Sequence, residues 1–363
     1  MRFGLIIIIF LSVTHIIQSQ TKFFDGLNIE PECGYGFIMG HHGFFNFYYQ
    51  HHPYTYDIRI SKKTDGKKQW HFLYRYPTTG FGFHHAWLGN DLYLGHSNAV
   101  YKFINIPILK GENITWNYTI GAGIAFLSKY FDTDSNYYNL AIGSCENAYF
   151  NLSQDVRIFL TKKTSIKTSI GITHYSNGSW AQPNAGINLI TVNTSIRWSL
   201  GQETEEQNTK NNDFFDKKNE LLCIINGGVR EISPPTGKKY FISTFSLNIN
   251  RQFWKKRKLG AGLDFFYDSS LRDQILRYEG ATYTDMIYYK TGIHVSHDLI
   301  FGNSAIIMQA GCYILAEYKS DGFIYSRFGI QQKINDNFFI NLSLKTHFFT
   351  ADYIEWGVGY KIL

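Results

Sequence analysis

The sequence lacks most of the features that mark other classes of protein. After its first twenty residues it has no stretch of the ~18 apolar residues that a transmembrane helix needs. Charged residues make up only 18% of the 363 residues, and neither a phosphate-loop nor a zinc-finger spacing is present, so we expect no nucleic-acid partner. There are 7 prolines, and the four cysteines are too widely separated to suggest a paired motif: Cys33, Cys145, Cys223 and Cys312.

The first twenty residues have the pattern of an exported protein. Arg2 provides a short positive region, residues 5–13 are apolar except for Ser12, and Ser19 and Gln20 lie where cleavage would occur. An apolar segment of this length is typical of a secretory signal peptide and is too short to span a bilayer. We therefore predict a signal peptide over residues 1–20, and a mature chain that can enter a membrane only as strands.

Aromatic residues and glycine are abundant, and the mature chain alternates between apolar and polar residues. Aromatic residues make up 17% of the chain. From residue 147 to 160 one parity carries Phe150, Leu152, Val156 and Ile158, while the other parity is mostly polar. A period of two indicates β-strands with one apolar face and one polar face. Residues 354–362 alternate in the same way and lie at the chain end, as expected for the closing strand of a barrel.

A soluble β-sandwich would show the same alternation, with the apolar parity in its core. Strands near the ~9–11 residues that cross a bilayer, a high aromatic content and a signal peptide favour a membrane barrel instead. We therefore predict an all-β protein, an antiparallel transmembrane β-barrel of the bacterial outer membrane with roughly 14 to 16 strands. In such a barrel the apolar parity faces lipid, so we expect Phe150, Leu152, Val156, Ile158 and Ile170 on the exterior.

The most distinctive segment, residues 171–188, reads GITHYSNGSWAQPNAGIN. On the strand that enters it, His174 and Ser176 share the parity of Ile170, and Asn188 falls on the same outward face of the returning strand. Polar side chains on an apolar exterior are costly unless they serve one another or a ligand. The residues suit acyl transfer, with Ser176 as nucleophile, His174 as its base and Asn188 orienting the imidazole. The Asn177–Gly178 turn could receive the oxyanion. The spacing alone equally allows a set of polar residues that face lipid head groups.

The same segment, with the upstream stretches WHFLYRYPTTGFGF and KYFDTDSNYYNLAIGS, resembles the PagL-type lipid A 3-O-deacylases in their longer, acyloxyacyl hydrolase-like form. The resemblance covers roughly residues 33 to 200, and its specific part is the His-x-Ser-Asn core. It implies an outer-membrane hydrolase that removes an acyl chain from lipid A without a metal or cofactor, with His174 as base, Ser176 as nucleophile and Asn177 as oxyanion donor. On this basis we divide the chain into a signal peptide (1–20), a deacylase part (21–200), a polar connection (201–220) and additional barrel strands (221–363).

One position departs from the shorter deacylases, which have a glutamate where this chain has Asn188. With His174 and Ser176, that asparagine is similar to the triad of outer membrane phospholipase A, a calcium-dependent barrel enzyme. Because residues 178–186 contain no carboxylate that could bind calcium, we favour the metal-free reaction on lipid A. The alternatives are a phospholipase, or a barrel without enzymatic activity that serves as a pore or a structural protein.

Overall fold

The computed structural model describes residues 24–40, 43–202, 218–278, 282–318, 322–348 and 350–363. The predicted signal peptide and most of the predicted polar connection therefore lie outside the described residues. Within the described ranges, no helix combines the length and the apolar character of a membrane span.

Sixteen strands account for most of the described chain. They are Leu27–Ile38 (β1), Tyr54–Lys63 (β2), Thr78–Trp87 (β3), His96–Lys110 (β4), Ile114–Leu127 (β5), Glu146–Phe159 (β6), Thr164–Ser176 (β7), Ile187–Leu200 (β8), Asn219–Arg230 (β9), Tyr240–Trp254 (β10), Arg257–Asp268 (β11), Tyr289–Phe301 (β12), Ser304–Ala316 (β13), Ile324–Lys333 (β14), Phe338–His347 (β15) and Thr350–Lys361 (β16). Short helices at Gln69–Leu73 (α1) and Leu271–Tyr278 (α2), and 3-10 turns at Gly43–Tyr48 and Asp285–Tyr288, interrupt the connections.

The strands close into two antiparallel barrels of eight strands each, β1–β8 and β9–β16. The first closes where Leu27 of β1 pairs with Leu200 of β8, and the second where Val358 of β16 pairs with Ile225 of β9. The predicted all-β class and strand count are thus confirmed. The structure differs in that residues after 218 close on themselves instead of adding strands to one barrel, since each closure removes two unpaired strand edges.

The faces of the strands are arranged as in a membrane barrel. In β6 every second residue from Asn147 to Arg157 is buried, whereas Phe150, Leu152, Val156 and Ile158 are exposed. Ile170 of β7 is 58% exposed. The predicted exterior position of these five apolar residues is confirmed, and the polar parity forms the interior, which is the reverse of a sandwich core.

The interior of the first barrel is filled with paired charges. Arg157 donates to Glu30 over 2.7 Å, Arg59 donates to Glu32 over 3.1 Å, and the Lys167 ammonium contacts both carboxylates, at 2.6 Å from Glu30 Oε1. Buried charges are tolerated only when they are paired in this way. Since eight-stranded barrels are just wide enough for side chains to fill, this packing argues against an open pore through the first barrel.

The second barrel contains the same kind of interior cluster as the first. In each, an aspartate accepts hydrogen bonds from a histidine and a tyrosine, and an arginine contacts both that aspartate and a glutamate. The two sets are Asp57, His84, Tyr101, Arg59 and Glu32, and Asp264, His294, Tyr325, Arg327 and Glu355. The members follow one another in a different order along the chain, which is why the sequence shows no clear repeat.

Residue contacts divide the chain into two compact units. The first unit comprises the described residues within Met1–Ser128, Tyr149–His174 and Asn188–Thr209. The second comprises those within Lys129–Ala148, Tyr175–Ile187 and Lys210–Leu363. The loop that follows β7 therefore belongs to the second unit, together with β9–β16.

Candidate active site

His174 and Asn188 form the centre of the candidate site. His174 lies near the end of β7 and Asn188 near the start of β8, and both are partly buried on the outward parity of their strands. The Nδ1 atom of His174 lies 2.7 Å from the side-chain oxygen of Asn188. Because an amide oxygen only accepts hydrogen bonds, Nδ1 carries the proton and donates it, and Nε2 of the neutral ring is the unprotonated nitrogen. The ring is thus held in the tautomer that a general base requires.

Ser176 is the last residue of β7, two positions beyond His174. Residues two apart in a strand project to the same side, so the serine and the histidine share a face. Ser176 is only 4% exposed. The structure therefore joins His174 to Asn188 by a hydrogen bond and places the candidate nucleophile at the end of the strand that carries the histidine.

A second pair of the same kind lies on neighbouring strands of the first barrel. His85 Nδ1 is 2.9 Å from the side-chain oxygen of Asn98, which stands opposite it in β4. Two residues after His85 the strand carries Trp87 instead of a serine. The His–Asn hydrogen bond is therefore not unique in the chain, and the serine at position 176 distinguishes the candidate site.

The turn after Ser176 has an unusual backbone. Gly178 has a φ of +61° and Ser179 a φ of +63°, so two consecutive residues are left-handed. A side chain at position 178 would collide with Ile354, since its Cβ would lie only 2.3 Å from the Ile354 Cγ1 atom. Within the described part of the chain, the Gly178 amide donates no hydrogen bond. Gly178 is itself buried, and among the described residues its amide is the candidate oxyanion donor without a protein acceptor.

Asn177, the other candidate oxyanion donor, is buried and already bound to its own loop. Its backbone N–H donates to the Asn184 side chain over 3.0 Å, and its side-chain amide donates to the Ser144 hydroxyl over 2.9 Å. Ser144 also accepts a hydrogen bond from the Trp180 indole at 3.1 Å. In this structure Asn177 therefore shapes the loop, and only its second amide hydrogen is left for an oxyanion.

Two partners of this loop were missed by the sequence analysis. Ser144, which accepts from the Asn177 side chain, lies 33 residues before Asn177 in the sequence. Glu231, which accepts from the Gln182 amide, lies 49 residues after Gln182. Ser144 ends the stretch KYFDTDSNYYNLAIGS, but neither that stretch nor strand periodicity indicates which loops meet, and Glu231 lies in no motif. The described residues contain no group of three or more His, Cys, Asp or Glu side chains that could hold a metal ion.

Two family models match the chain, in separate regions. The model described as lipid A 3-O-deacylase (PagL) matches residues 54–197, and the model described as acyloxyacyl hydrolase, C-terminal domain, matches residues 219–363. The first region includes His174, Ser176 and Asn188. The second region begins at the first residue of β9 and ends with the chain.

Solved structures similar to this chain include a neisserial surface protein and an outer membrane enzyme. Neisserial surface protein A is 4% identical to this chain, with a TM-score of 0.36. The match covers 48% of this chain and 98% of the neisserial protein. The outer membrane enzyme PagL is 20% identical to this chain, with a TM-score of 0.33. The match covers 46% of this chain and 97% of the PagL chain. No curated protein matches the chain.

Proposed function

Because the chain belongs to the PagL-type lipid A 3-O-deacylase family of the bacterial outer membrane, we propose that it hydrolyses an acyl ester of lipid A through Ser176, His174 and Asn188. The observation that carries this assignment is the 2.7 Å hydrogen bond from His174 to Asn188 on the outward face of the barrel. That face is turned toward the surrounding leaflet, whereas a solute passing through a pore would meet the interior side chains.

The reaction follows from the tautomer of His174. Its unprotonated Nε2 accepts the proton of the Ser176 hydroxyl, and the serine oxygen attacks the carbonyl carbon of the ester. The Gly178 amide donates to the oxyanion that forms. When the intermediate collapses, the bond to the glycolipid oxygen breaks and the imidazolium returns its proton to that oxygen. The same imidazole then deprotonates a water molecule, which attacks the acyl carbonyl carbon. The bond from that carbon to the Ser176 oxygen breaks, the imidazolium returns its proton to this oxygen, and the fatty acid is released.

The role of Asn188 leads to a graded prediction. Asn188→Ala removes the acceptor that fixes the imidazole, so we expect kcat for acyl release to fall by about 10²- to 10⁴-fold and remain measurable. Asn188→Asp and Asn188→Glu should retain more activity, because a carboxylate accepts the same Nδ1 proton and stabilises the imidazolium. The measurement is fatty-acid release from lipid A by each purified, folded variant. Wild-type kcat in Asn188→Ala would show that the asparagine does not orient the base.

Mass spectrometry of lipids from cells with and without the protein tests the substrate. We expect lipid A to lose the mass of one acyl chain only in cells that carry the protein, with phospholipids unchanged. The opposite pattern, lysophospholipids with intact lipid A, would favour the phospholipase, to which the asparagine at position 188 gives specific support. Intact lipids of both classes would favour a barrel without enzymatic activity.

Chelation of metal ions should leave the reaction intact. Residues 178–186 supply no carboxylate, and the proposed mechanism stabilises the oxyanion by a backbone amide and not by calcium. We expect the rate of acyl release in excess EDTA to stay within about twofold of the untreated rate, a change worth less than RT in activation energy. Loss of activity in EDTA that calcium restores would instead indicate the phospholipase mechanism.

A further inference from the structure

Glu231 is a buried carboxylate outside the proposed triad that accepts four hydrogen bonds. It directly follows β9 and is 3% exposed. One carboxylate oxygen accepts from the Thr236 amide at 2.9 Å and the Gly237 amide at 2.6 Å. The other accepts from the Gln182 amide at 3.1 Å and the Lys239 ammonium at 2.9 Å. A buried carboxylate with four donors is fully compensated, and hydrogen bonds to a charged acceptor are roughly twice as strong as neutral ones.

These bonds join the β9–β10 connection to the loop that follows Ser176. The Glu231 amide donates to the Ser179 carbonyl over 2.8 Å. The Lys239 ammonium donates to the Trp180 carbonyl over 2.6 Å. The Gln182 amide also donates to Glu231. Of the four successive residues 179–182, three therefore form hydrogen bonds with Glu231 or Lys239. All of these residues lie in the second unit, so the contacts are internal to it.

The loop has a backbone that needs such support. Ser179 is in the left-handed region at a φ of +63°, which costs a residue with a Cβ roughly 1–2 kcal/mol. Strained residues of this kind persist only where several surrounding contacts fix their conformation. Here the Ser179 carbonyl accepts from the Glu231 amide, and the Ser179 hydroxyl donates to the Ala351 carbonyl over 2.9 Å. Gly178, whose amide is the candidate oxyanion donor, directly precedes this fixed segment.

The charge of Glu231 is stable as well. Burial by itself raises the pKa of its carboxyl, but the hydrogen bonds from Lys239 and from the Gln182 and Gly237 amides outweigh it and hold the pKa below the ordinary value for glutamate. A group with a lowered pKa keeps its bonds until the pH falls through that lowered value. The support of the loop is therefore present across the neutral and mildly acidic range.

We infer that Glu231, assisted by Lys239, is a positioning residue that holds residues 178–182 in the conformation in which the Gly178 amide meets the oxyanion. The inference rests on the proposed function. It gives the C-terminal region, residues 219–363, a part in the reaction, although it contributes no residue to the proposed triad. It also predicts that changes at Glu231 act on the chemical step and leave lipid binding largely intact, because the hydrogen bonds of this residue go to the loop and to the β9–β10 connection.

The test compares four variants of the full-length protein in detergent with purified lipid A. We expect Glu231→Ala to lower kcat by about 10²-fold, the size of effect that a small misplacement of catalytic groups produces, with KM within about twofold. Glu231→Gln has one acceptor oxygen instead of two and should fall between the wild type and alanine. Lys239→Met, which removes the donor to Trp180, should lower kcat by about tenfold.

Glu220→Gln is the matched control. Glu220 is a buried carboxylate at the opposite end of β9 that accepts hydrogen bonds from two lysines, Lys258 and Lys361. Its loss should leave kcat and KM at wild-type values. A fluorophosphonate that labels the serine nucleophile gives a second readout, since labelling of folded Glu231 variants should slow in proportion to kcat.

The outcomes separate the two proposals. Wild-type kcat and labelling rate in folded Glu231→Gln and Lys239→Met would overturn the positioning role while leaving the proposed function in place. A rise in KM with unchanged kcat would also overturn it, since it would assign Glu231 to substrate binding. If the wild-type protein releases no fatty acid from lipid A, the proposed function fails, and the inference fails with it.

Discussion

Replacing either Ser176 or His174 by alanine is expected to lower acyl release from lipid A by at least about 10³-fold, and replacing both should cost little more than either change alone. In the proposed mechanism the serine supplies the nucleophilic oxygen and the histidine the base that activates it, so each residue is ineffective without the other. The measurement is fatty-acid release from lipid A by purified protein whose folding has been checked by circular dichroism.

The chain offers close controls for both changes. His85 forms the same kind of hydrogen bond with Asn98 as His174 forms with Asn188, but no serine follows it two residues later. Ser153 is a buried serine whose side chain lies in the interior of the first barrel. His85→Ala and Ser153→Ala should retain wild-type kcat. Wild-type activity in Ser176→Ala would end the assignment of hydrolysis to this site, and a barrel without enzymatic activity would then be the better interpretation.

The largest effect on stability is expected at Lys167. Its side chain is 1% exposed, and its ammonium contacts the carboxylates of both Glu30 and Glu32 inside the first barrel. Lys167→Met leaves three carboxylates in this cluster, Glu30, Glu32 and Asp57. Only two arginines, Arg59 and Arg157, remain to pair with them. Removal of one partner from a buried ion pair costs about 3–5 kcal/mol. We expect the free energy of unfolding of the first barrel to fall by that amount.

Unfolding in urea, followed by tryptophan fluorescence of the protein in detergent micelles, measures this loss. Lys163→Met is the control, because Lys163 is exposed at the turn just before β7 and a change there should stay within about 0.5 kcal/mol. A loss below about 1 kcal/mol for Lys167→Met, similar to a surface ion pair, would show that water reaches the interior cluster and screens it.

The strands and the central pair of the site could be predicted from sequence because both depend on local periodicity. The parity of Phe150 and Ile158 fixes which side chains face outward, and the parity of His174 and Asn188 places them on one face of adjacent strands. The structure adds the 2.7 Å hydrogen bond between them. The assignment of catalytic roles to Ser176, His174 and Asn188 stays a prediction until the variants are measured.

The closure of the barrels and the partners of the loop could not be predicted in this way. A strand has the same alternation whichever neighbour it pairs with, so nothing in β8 indicates that it returns to β1 instead of continuing into β9. In the same way, the sequence around Glu231 gives no sign that its carboxylate accepts from the amide of Gln182. These contacts depend on how distant segments meet, which is a property of the folded chain and not of its local pattern.

The packed interior of the first barrel also determines how the enzyme meets its substrate. Because side chains fill the interior and the His174–Asn188 pair lies on the outward face, we expect lipid A to reach the proposed site by lateral diffusion within its own leaflet. Encounter is then a two-dimensional process, and its frequency follows the mole fraction of lipid A among the amphiphiles around the barrel. In mixed micelles, added detergent therefore slows turnover by surface dilution even when the bulk concentration of lipid A is unchanged.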